Sequence, residues 1–457
     1  MQSIMRILAS EIIFWTAWII IPLVMEIVPA TFGFLVLLKK QNKYKNDPQL
    51  KYFPEISVII PVYNSSDTLE MCISSIMESK YPIDKIEVLL VNNGSVDNSF
   101  EIFKQYQEAH PGTNLKWMNS RQGKSKALNM ALFNSKGKYI IHLDSDGLLQ
   151  RDALINLITR FEAHEDIHCM TGSILTNPQA INSSKRGLMK IIKKVEFFEY
   201  AQAFLAGRNF EAELDNIFTM SGAFSAFRKS TILKTQLYNT ETVCEDTHVT
   251  FQVRHLLKKK IDICENAIFF VDPISSLDSL YVQRQRWQRG EIEVAHMFPQ
   301  KRGAVIGFFT DMMTRLIMFD HTFAFPRMIW YFALICLAFM NYPFSFVIES
   351  VIIIYALYTI STFLYYLNVC HYLSWEKDLK RFYQRKLGYV IILPIFNFIV
   401  YWFRMAGIIN SIKGVSSWRT RTFKEEREQC KTIVTNDFKA IGHILHRVRL
   451  FLSSDKQ

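Results

Sequence analysis

Lys138-Tyr139-Ile140-Ile141-His142-Leu143-Asp144-Ser145-Asp146-Gly147 is a short apolar run that ends abruptly at two carboxylates one residue apart. A run of this kind reads as a buried strand, and strand alternation sends Asp144 and Asp146 the same way while Ser145 points opposite. Two carboxylates on one rim form a hard-oxygen site for Mg²⁺ or Mn²⁺, which keep several waters and take further ligands from substrate phosphates. A solvated turn uses the same residue types, so the triplet gains its meaning from its surroundings.

Those surroundings run from about Glu55 to Phe298, where short β-branched runs alternate with amphipathic segments. Ile56-Ser57-Val58-Ile59-Ile60-Pro61 and Glu87-Val88-Leu89-Leu90-Val91 read as strands, and Ser66 to Glu78 between them reads as a helix with Asp67 near its start. Strand, helix, strand in that order implies a parallel α/β sheet, whose ligands bind beyond the carboxyl ends of the strands. Pro61-Val62-Tyr63-Asn64, Asn92-Asn93-Gly94-Ser95 and Asp144-Ser145-Asp146 all lie at such ends. Together they suit a nucleotide-diphosphate cleft.

The 457 residues suffice for one large or two ordinary domains, and the 49% hydrophobic content, with 36 Phe, points to a part in lipid. A formal charge of +11 raises nucleic acid as a partner, but the Lys and Arg are interleaved with long apolar segments and no nucleic-acid fold motif accompanies them. A membrane surface and a phosphorylated substrate account for the charge, and nucleic acid is not expected. Seven scattered cysteines without a CxxC argue against a zinc site and a disulfide framework, and fit a reducing compartment.

In order along the chain, Pro61-Val62-Tyr63-Asn64, Asn93-Gly94-Ser95-Val96-Asp97-Asn98, Gly123-Lys124-Ser125-Lys126-Ala127-Leu128-Asn129, Asp144-Ser145-Asp146, Cys244-Glu245-Asp246 and Gln283-Arg284-Gln285-Arg286-Trp287 resemble family 2 glycosyltransferases of the GT-A fold. The resemblance is strongest to the membrane-embedded branch of hyaluronan, poly-N-acetylglucosamine, chitin and cellulose synthases. It covers about half the chain. Within that branch the chain also resembles glycosyltransferases that accompany exosortase-type systems in Gram-positive bacteria.

The resemblance implies a role for each matching position. Pro61, Tyr63, Asn64, Asn93 and Lys124 fall on the donor side; Asp144 lies close to the nucleotide, and Asp146, with Asp144 beside it, holds the metal that neutralises the departing diphosphate. Asp246, with Glu245, is the candidate catalytic pair: an inverting transfer needs a carboxylate to take the proton of the attacking hydroxyl. Arg286 offers a planar fork to the diphosphate, Gln283 adds a neutral donor, and Trp287 offers an apolar face to an acceptor sugar. Ser221 and Gly222 resemble the loop on the acceptor side, although small residues also make a tight turn. Simple helix capping competes for Glu245 and Asp246, which precede the amphipathic stretch Val249 to Leu257. Two departures stand out. Many relatives have an aspartate pair at Asn92-Asn93, where Asn93 can pair with a uracil but supplies no charge, and Thr is usual at Cys244.

The flanks read as membrane segments. Ile12 to Leu38 is long enough to cross a hydrocarbon layer of about 30 Å once, and the lysines that follow it, Lys39, Lys40, Lys43, Lys45 and Lys51, place the next segment in the cytoplasm. Gly303 to Phe319, with Asp320 and His321 after it, reads as an interfacial helix, Ala324 to Met340 and Phe344 to Val369 as spans, and Leu387 to Ile409 as a further apolar segment. The expected units are an anchor over 1–51, a cytosolic catalytic domain over 52–300, membrane helices over 301–412 and a basic tail over 413–457. Charge puts that tail, with Arg419, Arg421 and Lys424, inside, while the count of crossings puts it outside.

The expectation is thus a multi-pass enzyme of the bacterial cytoplasmic membrane that moves a sugar from a nucleotide donor, UDP-linked by resemblance, to a growing polysaccharide. Single transfer to a polyprenyl phosphate or glycolipid, and a catalytically silent sugar-nucleotide-binding scaffold, are the alternatives. So few C-terminal spans point to a homodimer or an export partner if a polymer is to be moved across.

Overall fold

The computed structural model describes residues 27–40, 47–215, 217–242, 244–298, 344–413 and 422–428, and positions 23, 333, 336 and 339. Strands β1 (Ile56–Val62), β2 (Ile86–Asn92), β3 (Leu115–Asn119), β4 (Tyr139–Leu143), β5 (Gly147–Leu149), β6 (Ile167–Thr176), β7 (Phe224–Arg228) and β8 (Lys260–Val271) form one sheet in the order β3-β2-β1-β4-β7-β6-β8-β5. β3, β2, β1 and β4 are parallel, as is β6 with β8. β7 runs antiparallel to β4 and β6, and β5 to β8. The sheet is therefore mixed rather than mainly parallel. The long insertion between β6 and β7 returns the chain at the end it left, as a hairpin does, and a returning strand must run the other way.

Helix α1 (Val28–Lys40) precedes the sheet; α2 (Leu69–Met77), α3 (Ser99–Ala109), α4 (Lys124–Asn134) and α5 (Ala153–Ala163) connect its first strands. Every residue of β1 is buried, because both faces of the sheet are covered. Alternation then divides the core in two. Val58, Ile60, Val88, Leu90 and Ile141 pack with α2 and α5 on one face, while Ile59, Leu89, Val91 and Ile140 pack with α4 on the other. The helix expected over Ser66 to Glu78 starts only at Leu69. Ser66 and Asp67 stay outside it because the Ser66 N–H donates to Asp97 at 2.8 Å, holding this loop against the start of α3.

After β6 come α6 (Leu188–Tyr200), which runs on through a π-helical segment over Ala201–Gly207, and α7 (Glu245–Phe251), α8 (Leu277–Met297), α9 (Phe344–Tyr372), α10 (Lys377–Gln384) and α11 (Tyr389–Lys413). Two stretches, Val347–Trp375 and Tyr389–Asn410, are long and apolar enough to cross a membrane, close to two of the segments read from the sequence. α1 falls within the second half of the expected N-terminal span. The first half of the expected N-terminal span lies almost wholly outside the described residues, as do Gly303 to Phe319, Asp320, His321 and nearly all of Ala324 to Met340.

Lys40 departs from its expected role. It is not a solvated cation beside a membrane: its Nζ is buried 3.4 Å from Glu213 and 3.6 Å from Asp262, and donates to the Asn209 carbonyl at 3.3 Å. Carboxylates at the end of α6's extension and on β8 have drawn it inward, so α1 is clamped to the sheet domain. Lys40→Met is expected to cost up to about 3–5 kcal/mol by stranding the buried Asp262 carboxylate. Thermal unfolding in detergent checks this, with Lys39→Met as the solvated control.

Candidate active site

Three chain segments meet at the carboxyl edge of the sheet. β4 stops at Leu143, and a turn, not a strand, carries Asp144, Ser145 and Asp146 into β5. Strand alternation therefore does not set their directions. The turn is pinned by Ser145, whose hydroxyl lies 2.7 Å from that of Ser65 and whose carbonyl accepts from Thr68 Oγ1 at 3.0 Å. Ser145 is buried and Asp146 is exposed on the rim.

Lys124 is the first residue of α4, after Gly123, whose φ of +135° suits glycine. Its Nζ lies 2.7 Å from Asp144 Oδ1 and 3.2 Å from Glu245 Oε1, tying α4 to the end of β4 and the start of α7. Burial opposes the lysine's charge, but Asp144 and Glu245 outweigh it and raise its pKa far above the usual value. Burial likewise opposes ionisation of Asp144, but Lys124, then His142, holds that carboxyl well below the carboxylate range. His142 lies beneath, fully buried, its Nε2 3.7 Å from Asp144 Oδ1; burial lowers its pKa.

Asp146 behaves oppositely. Displaced water and the charge of Asp144 push its carboxyl up to about 6, and it makes no ion pair among the described residues. A divalent cation would reverse that shift. No three His, Cys, Asp or Glu side chains converge as a metal cage among the described residues. A site with Asp146 and Asp144 as its carboxylates fits Mg²⁺ or Mn²⁺, which leave ligand positions to water and diphosphate.

Asp246 lies in the first turn of α7, where the helix N-terminus favours carboxylates. Burial, then Glu245, pushes its carboxyl up to about 6. One carboxylate oxygen accepts from the Thr247 N–H at 2.6 Å. The other faces Gly222 so closely that an added Cβ would stand 2.7 Å from it. Gly222 belongs to the turn in which the Phe224 N–H donates to the Ser221 carbonyl at 3.2 Å, just before β7. The Asp144 N–H donates to the Ala223 carbonyl at 3.3 Å, so the same turn touches both carboxylate motifs. Gly222→Ala is expected to displace Asp246 and lower kcat by at least tenfold with little change in KM; steady-state kinetics check it.

Pro61 is buried within β1, whereas Tyr63 and Asn64 are exposed just beyond it, Asn64 in the left-handed region with φ +49°. Asn93 is buried, and its side-chain oxygen accepts from the Gly123 N–H at 2.5 Å. It thereby supports the loop that presents Lys124. Asp97 is structural: it accepts from Ser66 and from the Ser99 N–H and hydroxyl.

On α8, Gln283 donates to the Tyr200 hydroxyl at 3.4 Å, and Arg286 and Trp287 are partly exposed. Sequence reasoning passed over Arg284. It is buried, donates to Glu199 at 2.5 Å, and stacks its guanidinium 4.4 Å from the centre of the Trp287 ring. Phe204 meets that ring edge-on at 6.0 Å. The indole orientation is thus set from α6 and its extension, and its only sequence signal was an Arg inside the pentapeptide.

A mixed sheet with a carboxylate turn at its edge, and a second carboxylate pair facing it from a helix N-terminus, is the arrangement of the GT-A fold. Residues 57–234 match the model of glycosyl transferase family 2. A mannosyltransferase from Pyrobaculum calidifontis, solved with GDP-Man and Mn²⁺, superposes with a TM-score of 0.56 at 16% identity, over 86% of this chain and 98% of that one. The poly-beta-1,6-N-acetyl-D-glucosamine synthase of Staphylococcus epidermidis is 27% identical over 265 residues, 58% of this chain and 59% of that protein. Its Staphylococcus aureus counterpart is 27% identical over 263 residues, 58% and 61%. The match spans about three fifths of these relatives' length.

Proposed function

We propose that the chain is a membrane-bound, inverting transferase that moves a sugar from a UDP-linked donor to a growing polysaccharide. The observation that carries this reading is the Lys124 bridge. It joins Asp144, on the donor side, to Glu245, the neighbour of a carboxylate poised to exchange a proton near neutrality. Asp246 takes the proton of the acceptor hydroxyl as its oxygen attacks the anomeric carbon, and the bond to the diphosphate breaks on the opposite face. Arg286 and Gln283 bind the leaving diphosphate, and Trp287, held by Arg284, carries the acceptor sugar. Asp146, with Asp144, would hold a Mg²⁺ or Mn²⁺ ion, which when bound neutralises charge on the leaving group. The polymeric acceptor is supported by the relatives' names, and a homodimer or export partner would complete its passage.

The test is UDP release by membranes containing the chain, with a panel of UDP-sugars including UDP-N-acetylglucosamine, and product length on a gel. Metal-dependent release, lost in Asp146→Ala, with a ladder of products is the expected result. A single product species would mean one transfer to a lipid or glycan acceptor. Donor binding without release from any sugar would mean a silent scaffold.

A further inference from the structure

α11 has the length of a membrane span, yet both of its ends rest on the catalytic domain. At its start the Tyr389 hydroxyl accepts from Lys194 of α6 at 3.2 Å, and the ring packs 6.3 Å from Phe198. Toward its end Arg404 donates to Gln288 of α8 at 3.4 Å, and Gly407 fits against Gln285, where a Cβ would stand 2.7 Å from the backbone oxygen. α6 and α8 belong to one body, joined by the buried Glu199–Arg284 pair. The chain after α11 also comes back. Glu426 accepts from Asn410 at 2.8 Å, from Gln285 at 3.1 Å and from Tyr281. A crossing helix of 22 residues would carry its far end about 33 Å away and leave Glu426 on the opposite side of the bilayer.

The two long faces of α11 differ in what they meet. Val390, Leu393, Phe396 and Val400 pack inward at helical spacing. Ile391, Ile395, Phe398, Ile399, Trp402 and Ile409 are exposed on the other side. Arg385 and Lys386 precede this apolar face and Lys413 ends it, a pattern of cations at both ends that matches anionic headgroups.

We infer that α11 lies in the plane of the bilayer surface on the catalytic side, its outer face among the acyl chains, and that the C-terminal tail stays on that same side. This removes the conflict between charge and crossing count, because Arg419, Arg421 and Lys424 then obey the positive-inside rule. The inference does not depend on the reaction catalysed.

Two readouts on the full chain test it. A reporter pair, one fluorescent only in the cytoplasm and one enzymatically active only outside, is fused after Gln457 and, as reference, inserted at the exposed Gly112. The same side is expected for both sites; opposite sides would overturn the inference. Spin labels at Ile395→Cys and Trp402→Cys, in vesicles of phosphatidylglycerol and phosphatidylethanolamine, report depth. Both are expected at a similar shallow depth, about 5–10 Å below the headgroups. A difference of about 10 Å between them, as seven residues of a crossing helix require, would overturn it. So would shielding of both labels from lipid, which would mean that a second copy or another protein covers the face.

Discussion

Asp246→Asn is expected to lower kcat by about 10²–10⁴-fold while leaving donor affinity within a few-fold of the native enzyme. Asparagine keeps the shape beside Gly222 but cannot take a proton, so nucleotide binding survives and the attack on the anomeric carbon slows. The pH profile carries the sign. The base acts only when ionised, and its carboxyl is raised to about 6. Native kcat should therefore climb about tenfold per pH unit below 6 and level off above it. At saturating Mn²⁺ the Asp146 carboxyl, also raised to about 6 when metal-free, no longer titrates in this range, so the remaining limb belongs to Asp246. In Asp246→Asn that limb should vanish. A limb that persists unchanged would assign the base elsewhere.

Removal of Lys124 is the second large effect. Lys124→Met leaves Asp144 and Glu245 facing one another without their cation, and is expected to destabilise the fold by about 3–5 kcal/mol and to weaken donor binding. The pH dependence again gives a sign. A carboxyl depressed in the folded state, as Asp144 is, contributes stability that is present above its unfolded value near 4 and lost as pH falls through the lower folded value. Without Lys124 that contribution disappears, so the variant should lose less stability on acidification than the native protein. Thermal unfolding in detergent from pH 7 to pH 3 measures it. A change below about 0.5 kcal/mol is what an ordinary surface lysine would give, and would remove Lys124 from the site.

Much of this was legible in the sequence because it depends on local periodicity. The wholly buried β1 and the almost wholly buried β2 declare themselves as largely apolar runs, and the polar residues that end strands of a sheet covered on both faces must lie at its rim. Asp144, Asp246 and Lys124 were singled out on motif order, and the structure brings them together although 122 positions separate the first and last of them along the chain. The helix expected from Ser66 begins only at Leu69, just after Asp67, since Asp97 on another element captures the Ser66 N–H. The antiparallel β7 was invisible for a related reason: strand polarity depends on where a long insertion returns, and no local pattern records that.

By itself, then, the sequence determined the α/β layers, the rim that carries the candidate site residues and the apolar character of α9 and α11, all of which follow from side-chain spacing and hydrophobicity. Tertiary structure alone decided the burial of Lys40 between Glu213 and Asp262, the Glu199–Arg284 pair that sets the Trp287 ring, and the docking of α11 along α6 and α8. Each of these rests on charges or hydrogen-bonding groups from distant segments meeting where water is excluded. Hydropathy says that a segment leaves water, but only its partners say in which direction it goes.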